Sequence, residues 1–303
     1  MERRAVSGSD GSDPATEVYA AHRNLLFTVA YEILGSASDA EDVLQETWLR
    51  WVGVDLETVR DQRAYLVKIT TRQSLSRLRT LGRRKESYVG AWLPEPLLTA
   101  PDVADDVELA ESVSMAMMLV LETLSPTERA VFVLREVFGL EYDEIAEAVD
   151  KSPAAVRQIA HRARNHVAAR RPRGVTSTAD ARSATEAFQK AVTTGDLQSL
   201  FDLLAPDVVF IGDGGGVVQA TPQPLYGAAV VAEFLAHGLT HLSDFATLET
   251  AYVNGGLGVL VRVGGVVDTI VAMHTDNGLI TGIYVVRNPE KLSRIEEETA
   301  MAR

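Results

Sequence analysis

The sequence predicts a multidomain chain: two all-α blocks followed by a C-terminal α+β domain. Three observations carry this. Apolar residues recur at helical spacing from about residue 16 to residue 171. Proline and glycine interrupt that pattern at residues 86–106 and again at 172–183. From residue 184 the spacing turns into two helical stretches and then short strand-like runs punctuated by glycine. The length of 303 residues suits two or three domains, and a hydrophobic content of 46% lets each bury a core.

Residues 1–15 are polar and lack the apolar stretch of a signal peptide, so a disordered tail is expected there. The first block, residues 16–85, carries three amphipathic stripes. Leu25, Leu26, Val29, Ile33 and Leu34 form the first. Val43, Leu44, Thr47, Trp48 and Trp51 form the second, and Tyr65, Leu66, Ile69, Leu75 and Leu78 the third. Gly35-Ser36-Ala37-Ser38 separates the first two helices, with Asp39 as the expected cap. Beside Asp39, the second helix turns Glu41, Asp42, Gln45 and Glu46 outward. Such a face suits a basic protein partner, and a merely solvated helix looks alike. The third helix is rich in arginine: Arg72, Arg77, Arg79, Arg83 and Arg84, with Lys85. The linker at 86–106 holds Gly90, Pro94, Pro96 and Pro101, and one large apolar group, Trp92.

The second block, residues 107–171, contains the layout of a helix-turn-helix between positions 124 and 167. A first helix runs into a turn at Gly139, a short helix follows, and a long one starts at Ser152-Pro153. In the last helix Val156, Ile159, Ala160, Ala163 and Val167 share a face. That face is expected to pack on Ile145, Val149, Val131 and Leu134. Arg157, Gln158, His161, Arg162 and Arg164 point elsewhere. From Lys151 to Arg173 there are seven Lys or Arg and no carboxylate. A packed stripe backed by a purely basic face fits a polyanion.

The net charge of −13 argues that this chain does not coat nucleic acid unaided. The absence of cysteine excludes disulfides, thiolate-metal sites and cysteine nucleophiles. Nothing in the pattern implies a metal or an organic cofactor. No apolar run approaches the ~18 residues that a membrane span needs, so a cytoplasmic protein without membrane contact is expected.

In the last domain, residues 184–303, helices carry Ala187, Phe188 and Val192, then Leu200, Phe201 and Leu204. Strands are expected at 208–212, 246–253, 257–263, 267–274 and 279–286, with a helix at about 228–238. Gly255-Gly256, Gly264-Gly265 and Asn277-Gly278 mark hairpin turns.

The segment from Asp39 to Trp51 resembles region 2.2 of bacterial sigma-70-type sigma factors. In that family it binds the clamp helices of the RNA polymerase β′ subunit. The stretch Arg63 to Gln73 resembles the helix that recognises and melts the −10 element, and residues 124–167 are similar to region 4, which reads the −35 element. Their order is that of the compact extracytoplasmic-function group. The resemblance implies core RNA polymerase, through β′ and β, and promoter DNA as partners. It implies Asp39, Glu41, Asp42, Gln45 and Glu46 for the polymerase. Arg72, Arg77, Arg79, Arg83 and Arg84 would serve the −10 DNA, and Ala155, Arg157, Gln158, His161 and Arg162 the −35 DNA. Arginine reads guanine edges or holds phosphates, and an alanine can meet a thymine methyl.

Residues 184–303 resemble the SnoaL-like cone fold. Trp92-Leu93-Pro94-Glu95-Pro96, Asp213-Gly214-Gly215-Gly216 and Asn288-Pro289-Glu290-Lys291-Leu292 together resemble a sigma-factor subgroup with this domain fused as an extension. That resemblance implies control through the extension, with Trp92, Pro94, Asp213, Asn288, Pro289 and Lys291 at the contact. It also leaves room for a small ligand in the cone. Two other classes stay open. One is a stand-alone helix-turn-helix regulator of a duplex operator. The other is a SnoaL-type enzyme with a DNA-binding appendage, using an acid-base pair among Asp213, His237, His241, Asp268 and His274.

Overall fold

The computed structural model describes residues 13–171, 178–239 and 246–303, and the side chains of 83–86, 178 and 239 are not among those described. The expected tail up to residue 12, His241 and the side chains of Arg83, Arg84 and Lys85 therefore lie outside the described residues.

Three long helices open the chain: α1 (Pro14–Leu34), α2 (Ala37–Trp51) and α3 (Gln62–Glu86). Proline at its first turn starts α1 two residues before the expected end of the tail. Gly35, at φ 72°, ends it by donating to the Tyr31 carbonyl at 2.7 Å. The cap of α2 is Ser36 and not Asp39: the Ser36 hydroxyl accepts from the Asp39 amide at 3.2 Å. Asp39 sits at the third helical position, and its carboxylate is thereby released to meet Arg77 at 2.6 Å.

The expected linker is not a loop throughout. It contains a short strand, β1 (Leu98–Thr99), and a helix, α4 (Pro101–Asp105). Then follow α5 (Val107–Val113), α6 (Met115–Glu122) and α7 (Pro126–Phe132), the last closed by a capping box between Ser125 and Glu128. A π turn at Val133–Val137 and Gly139 at φ 65° lead into α8 (Tyr142–Val149). Asp150, at φ 55°, turns the chain into α9 (Pro153–Ala168), where the Ser152 hydroxyl accepts from the Ala155 amide at 3.2 Å. Val156, Ala160, Ala163 and Val167 are buried in one cluster with Val131, Leu134, Ile145 and Val149. That cluster continues into Leu26, Trp51 and Leu66, so the two helical blocks share a single core.

The last domain begins with α10 (Thr178–Thr194), six residues ahead of the expected start, and α11 (Leu197–Leu203). Its strands are β2 (Leu204–Asp213), β3 (Leu225–Tyr226), β4 (Ala246–Val253), β5 (Gly256–Val263), β6 (Val266–Asp276) and β7 (Leu279–Val286). α12 (Ala228–Leu239) precedes β4, and α13 (Pro289–Leu292) and β8 (Glu298–Thr299) follow β7. Positive φ at Asn254-Gly255, Gly264-Gly265 and Asn277-Gly278 makes three tight hairpins. The sheet runs β3-β2-β7-β6-β5-β4-β1-β8. Its last two strands come from the linker and the C-terminal segment: Leu98 pairs with Val253 and with Glu298. One face packs on α10, α11 and α12 through Phe188, Leu200, Val231 and Ile283. The other packs Ile270, Tyr284 and Val286 against Leu93, Met115 and Ala116 of the preceding segments.

A buried polar cluster lies in the helical core. Glu32 is fully buried; Oε1 accepts from the Ser112 hydroxyl at 2.7 Å and Oε2 has no partner among the described residues. Arg129 donates Nε–H to the Glu32 carbonyl at 2.7 Å and pairs with Glu122. Burial pushes the Glu32 carboxyl up to about 8, against the pull of Ser112 and Arg129. The folded protein then holds a proton that the unfolded chain releases above its ordinary value of 4.5. This group's contribution to stability falls as pH rises from 4.5 to about 8. Glu32→Gln, which copies the protonated form, should raise the melting temperature more at about pH 8.5 than at about pH 5.5, by about 3 °C or more. Thermal melts of both proteins across pH check this, and an equal shift at both ends would contradict it.

Candidate nucleic-acid interface and interdomain latch

Helix α9 exposes Arg157, Gln158, His161 and Arg162 opposite its buried stripe, with Ala155 partly covered in the first turn. The Arg157 guanidinium lies 5.7 Å from the centroid of the Tyr142 ring, and Arg162 stays largely exposed, 3.7 Å from Glu128. Arg164 points to Glu136 at 2.8 Å. The outer face of α9 is therefore basic and mostly open.

The arginines of α3 are occupied differently. Arg72 donates to the Glu147 carbonyl at 2.7 Å, and Lys68 pairs with the Glu147 carboxylate at 2.8 Å. Glu147 belongs to α8, so the helix-turn-helix block lies across the basic face of α3. Arg77 is clamped by Asp39 and Asp42. Arg79 is exposed. On α2, Glu41 pairs with Arg23 at 2.8 Å and Glu46 accepts from Gln73. Gln45 and Leu49 face outward, Leu49 at 71% exposure. The acidic face thus ends, one turn beyond Glu46, on an exposed apolar residue.

The structure gathers the three short motifs around one carboxylate. Asp213, fully buried at the end of β2, accepts from the Leu93 amide at 2.8 Å and the Lys291 ammonium at 2.7 Å on Oδ2. Its Oδ1 accepts from the Tyr88 hydroxyl and from the Gly215 amide at 3.0 Å. Its carbonyl accepts from the amides of Arg287 at 2.7 Å and Asn288 at 3.1 Å. Asn288 caps α13 through Glu290 and donates to Tyr88 at 2.8 Å. Lys291 stands 4.3 Å from the Trp92 ring centroid and 4.9 Å from that of Tyr88, and also donates to the Leu93 carbonyl. Burial draws the Lys291 ammonium below its ordinary range, and Asp213 opposes that. Gly215, at φ 65°, is required here, because a Cβ would lie 2.5 Å from the Asn288 side chain.

The same segment is bound from its other side. Glu95 is buried and accepts from Ser36 at 3.1 Å and from the Ser38 amide at 3.2 Å. Burial raises its carboxyl, against those donors. The Glu95 backbone bonds Gly35 and the Tyr31 hydroxyl. Two residues on, the Leu97 amide donates to Asn254 Oδ1 at 3.0 Å, and Asn254 Nδ2 donates to Tyr31 at 2.7 Å. Residues Trp92 to Leu97 thus lie between α1–α2 and the sheet. Leu93 and Pro94 are buried, and Pro289 is exposed at the start of α13.

Between the sheet and α10–α12 there is a cavity of about 720 Å³ lined by Phe188, Phe210, Phe234, Val259 and Val271. Asp268 and His237 reach its wall, as does Arg287, which pairs with Asp268 at 3.0 Å. His274 is elsewhere, bonded to Thr281 at 2.8 Å, and burial lowers its ring. Among the described residues no group of three or more His, Cys, Asp or Glu is arranged to hold a metal ion. No described helix is long and apolar enough to cross a membrane.

Comparison with known proteins decides the family. Sigma-70 region 2 matches residues 18–84 and Sigma-70, region 4 matches residues 114–167. The ECF RNA polymerase sigma factor SigJ of Mycobacterium tuberculosis is 35% identical over 91% of this chain and 92% of its own length. The chain belongs to the extracytoplasmic-function sigma factors. The probable ECF sigma factor SigI of the same species is 33% identical over 94% of this chain and 97% of its own. The crystal structure of SigJ superposes with a TM-score of 0.75 at 33% identity, covering 92% of this chain and 98% of that one. Sigma factors bind core RNA polymerase and promoter DNA. In this sigma factor, region 2 comprises α1 to α3, region 4 comprises α6 to α9, and the α+β domain that begins with α10 follows.

Sequence reasoning missed four participants. Glu95 stood within the quoted linker motif, but its partners Ser36 and Ser38 are 59 and 57 residues away. Tyr88 carried no pattern signal. Asn254 was not singled out: the turn expected at Gly255-Gly256 lies at Asn254-Gly255, and the Asn254 side chain also spans the junction. Glu147 was not singled out, since its partners Lys68 and Arg72 are 79 and 75 residues away. Asp213→Ala should leave Lys291 buried without its counter-charge and cost about 3–5 kcal/mol. Lys291→Met also unpairs a buried charge but leaves Asp213 its donors from Leu93, Tyr88 and Gly215, and should cost less than Asp213→Ala. Urea titrations followed by near-ultraviolet circular dichroism check the order, and the reverse order would contradict the assignment.

Proposed function

We propose that this sigma factor contacts the β′ clamp helices through α2, holds −10 DNA through α3 and reads −35 DNA through α9. The β subunit would complete the core contact, and the chain would work in the cytoplasm. We further propose that the cone holds the chain closed through the linker. The observation that carries this reading is α8 lying over α3, with Lys68 and Arg72 bonded to Glu147.

The two promoter elements lie about 25 base pairs apart, on the order of 85 Å of duplex at 3.4 Å per step. Two blocks that share one core cannot span that distance, so promoter engagement requires region 2 and region 4 to separate. Polymerase and DNA supply the free energy for this by binding the open form better than the closed one. The linker sets the tether. With Trp92 to Leu97 fastened to the cone and to region 2, the free length between the two DNA readers is short. Releasing the latch at Asp213 lengthens it.

A catalytic role for the cone finds little support. Asp213 is held by Lys291 and His274 by Thr281; on the cavity wall Asp268 is held by Arg287 and stands with His237. Acid-base catalysis needs a proton-transferring group facing a substrate.

Two measurements test the reading. Glu147→Arg turns two attractions at the α3–α8 seam into repulsions. It should raise run-off transcription with core enzyme by about two- to fivefold, since exposed ion pairs are individually weak. Unchanged output would show that this seam does not limit opening. Asp42→Arg with Glu46→Arg reverses the acidic face of α2. It should weaken association with core polymerase by at least about tenfold while the protein stays folded. Wild-type affinity in a titration of core enzyme would remove α2 from the interface.

A further inference from the structure

The cone cavity is lined on most sides by phenylalanine and valine, and the Phe210 and Phe234 rings meet at 4.9 Å. Its volume of about 720 Å³ falls within the range of small-molecule sites. One end is polar. There Asp268 accepts from one edge of the Arg287 guanidinium, from Nη2 at 3.0 Å and from Nε at 3.2 Å. Thr269 donates to Asp268 at 2.6 Å, and Arg287 also donates to the Gln219 carbonyl at 3.0 Å.

We propose that this cavity binds an uncharged, largely apolar small molecule that carries a hydrogen-bonding head group, and that its occupancy tightens the linker latch. The charge of the ligand follows from the ion pair. Asp268 and Arg287 already neutralise each other, so a charged ligand would break that pair or rely for a counter-ion on His237, the remaining ionisable group on the described wall. A neutral head that donates, such as a hydroxyl or a secondary amine, reaches a remaining Asp268 lone pair at no such cost. The rest of the molecule covers the phenylalanine and valine wall.

The route to the latch is short and covalent. Arg287 lines the cavity, its amide donates to the Asp213 carbonyl at 2.7 Å, and the next residue is Asn288 of the latch. Gly212 also lines the cavity, and the next residue is Asp213. Thr221, on the same wall, accepts from the Gly212 amide at 3.2 Å. Strands β2 and β7 run parallel here, with Asp213 opposite Val286. A head group that fixes Arg287 and Asp268 therefore fixes the two strand ends from which the Leu93 and Tyr88 contacts are made. Coupling of this kind is reciprocal.

The test uses the full chain alone, so its outcome is independent of the transcription reading. The probe is N-phenyl-1-naphthylamine, a neutral fluorophore with one N–H donor. Its fluorescence should rise and saturate at one probe per chain. 1-Naphthol should displace it at least tenfold better than 1-naphthoate. Val261→Trp fills the cavity wall and should weaken the probe at least tenfold. Val263→Trp, at an exposed rim position, gives the same reading if the first variant fails to fold. With the probe saturating, amide exchange in residues 88–97 should slow at least threefold, because the Leu93 amide bonds Asp213. Non-saturating fluorescence, or binding indifferent to both tryptophan variants, overturns the site. Equal or better displacement by naphthoate overturns the ligand class. Unchanged exchange at 88–97 overturns the coupling.

Discussion

A fully buried carboxylate draws its donors from the protein around it, and Asp213 collects them from three places in the chain. Leu93 and Tyr88 come from the linker, Lys291 from the segment after the last strand, and Gly215 from its own loop. An ionised group in such a site is tolerated only when paired and fully bonded. Its demand fixes where the linker runs. Once Leu93 is fixed, Pro94 to Leu97 follow the cleft between α1–α2 and the sheet, and Leu98 is delivered to the edge of β4. The strand between β4 and β8 is therefore a piece of the sigma linker, and the sheet is extended by a segment that connects region 2 to region 4.

This architecture explains why the helical blocks close on each other. A linker bound along its length leaves region 4 little room to move away from region 2. The shared core then buries apolar surface that two separated domains would expose, and this burial is the main force favouring closure. Charge supplies the fit. Lys68 and Arg72 of α3 meet Glu147, Arg77 meets Asp39 and Asp42, and Arg171 meets Glu111. Exposed pairs of this sort contribute little each and are screened by salt. The same cations can exchange carboxylates for phosphates at small net cost, as the proposed opening onto DNA would require.

The acidic total of the chain is consistent with this arrangement. A protein that borrows its DNA channel from polymerase needs local basic surfaces and no global one. In the closed form much of the basic surface on α3 is matched by the protein's own acids. The outer face of α9 stays more open. Basic surface is thus partitioned between a helix that is exposed and one that is covered.

Local physics made much of this legible from sequence alone. Helical period, Ser152-Pro153, Gly139 and the glycine-bearing hairpins depend on neighbours within a few residues, and the elements they predict lie close to where the structure has them. The order of the acidic helix, the arginine-rich helix and the helix-turn-helix was likewise enough to place the family. What tertiary structure decided rests on contacts between distant positions. No pattern in sequence said that Ser36 and not Asp39 caps α2, because Arg77, 38 residues on, competes for the Asp39 carboxylate. Nor did any pattern show that Leu98–Thr99 joins the sheet, since two residues are too few to show a period. The short motifs around Trp92, Asp213 and Asn288 were visible as words. Their meeting at one carboxylate was not, because hydrogen bonds between residues 120 and 200 positions apart leave no trace in spacing.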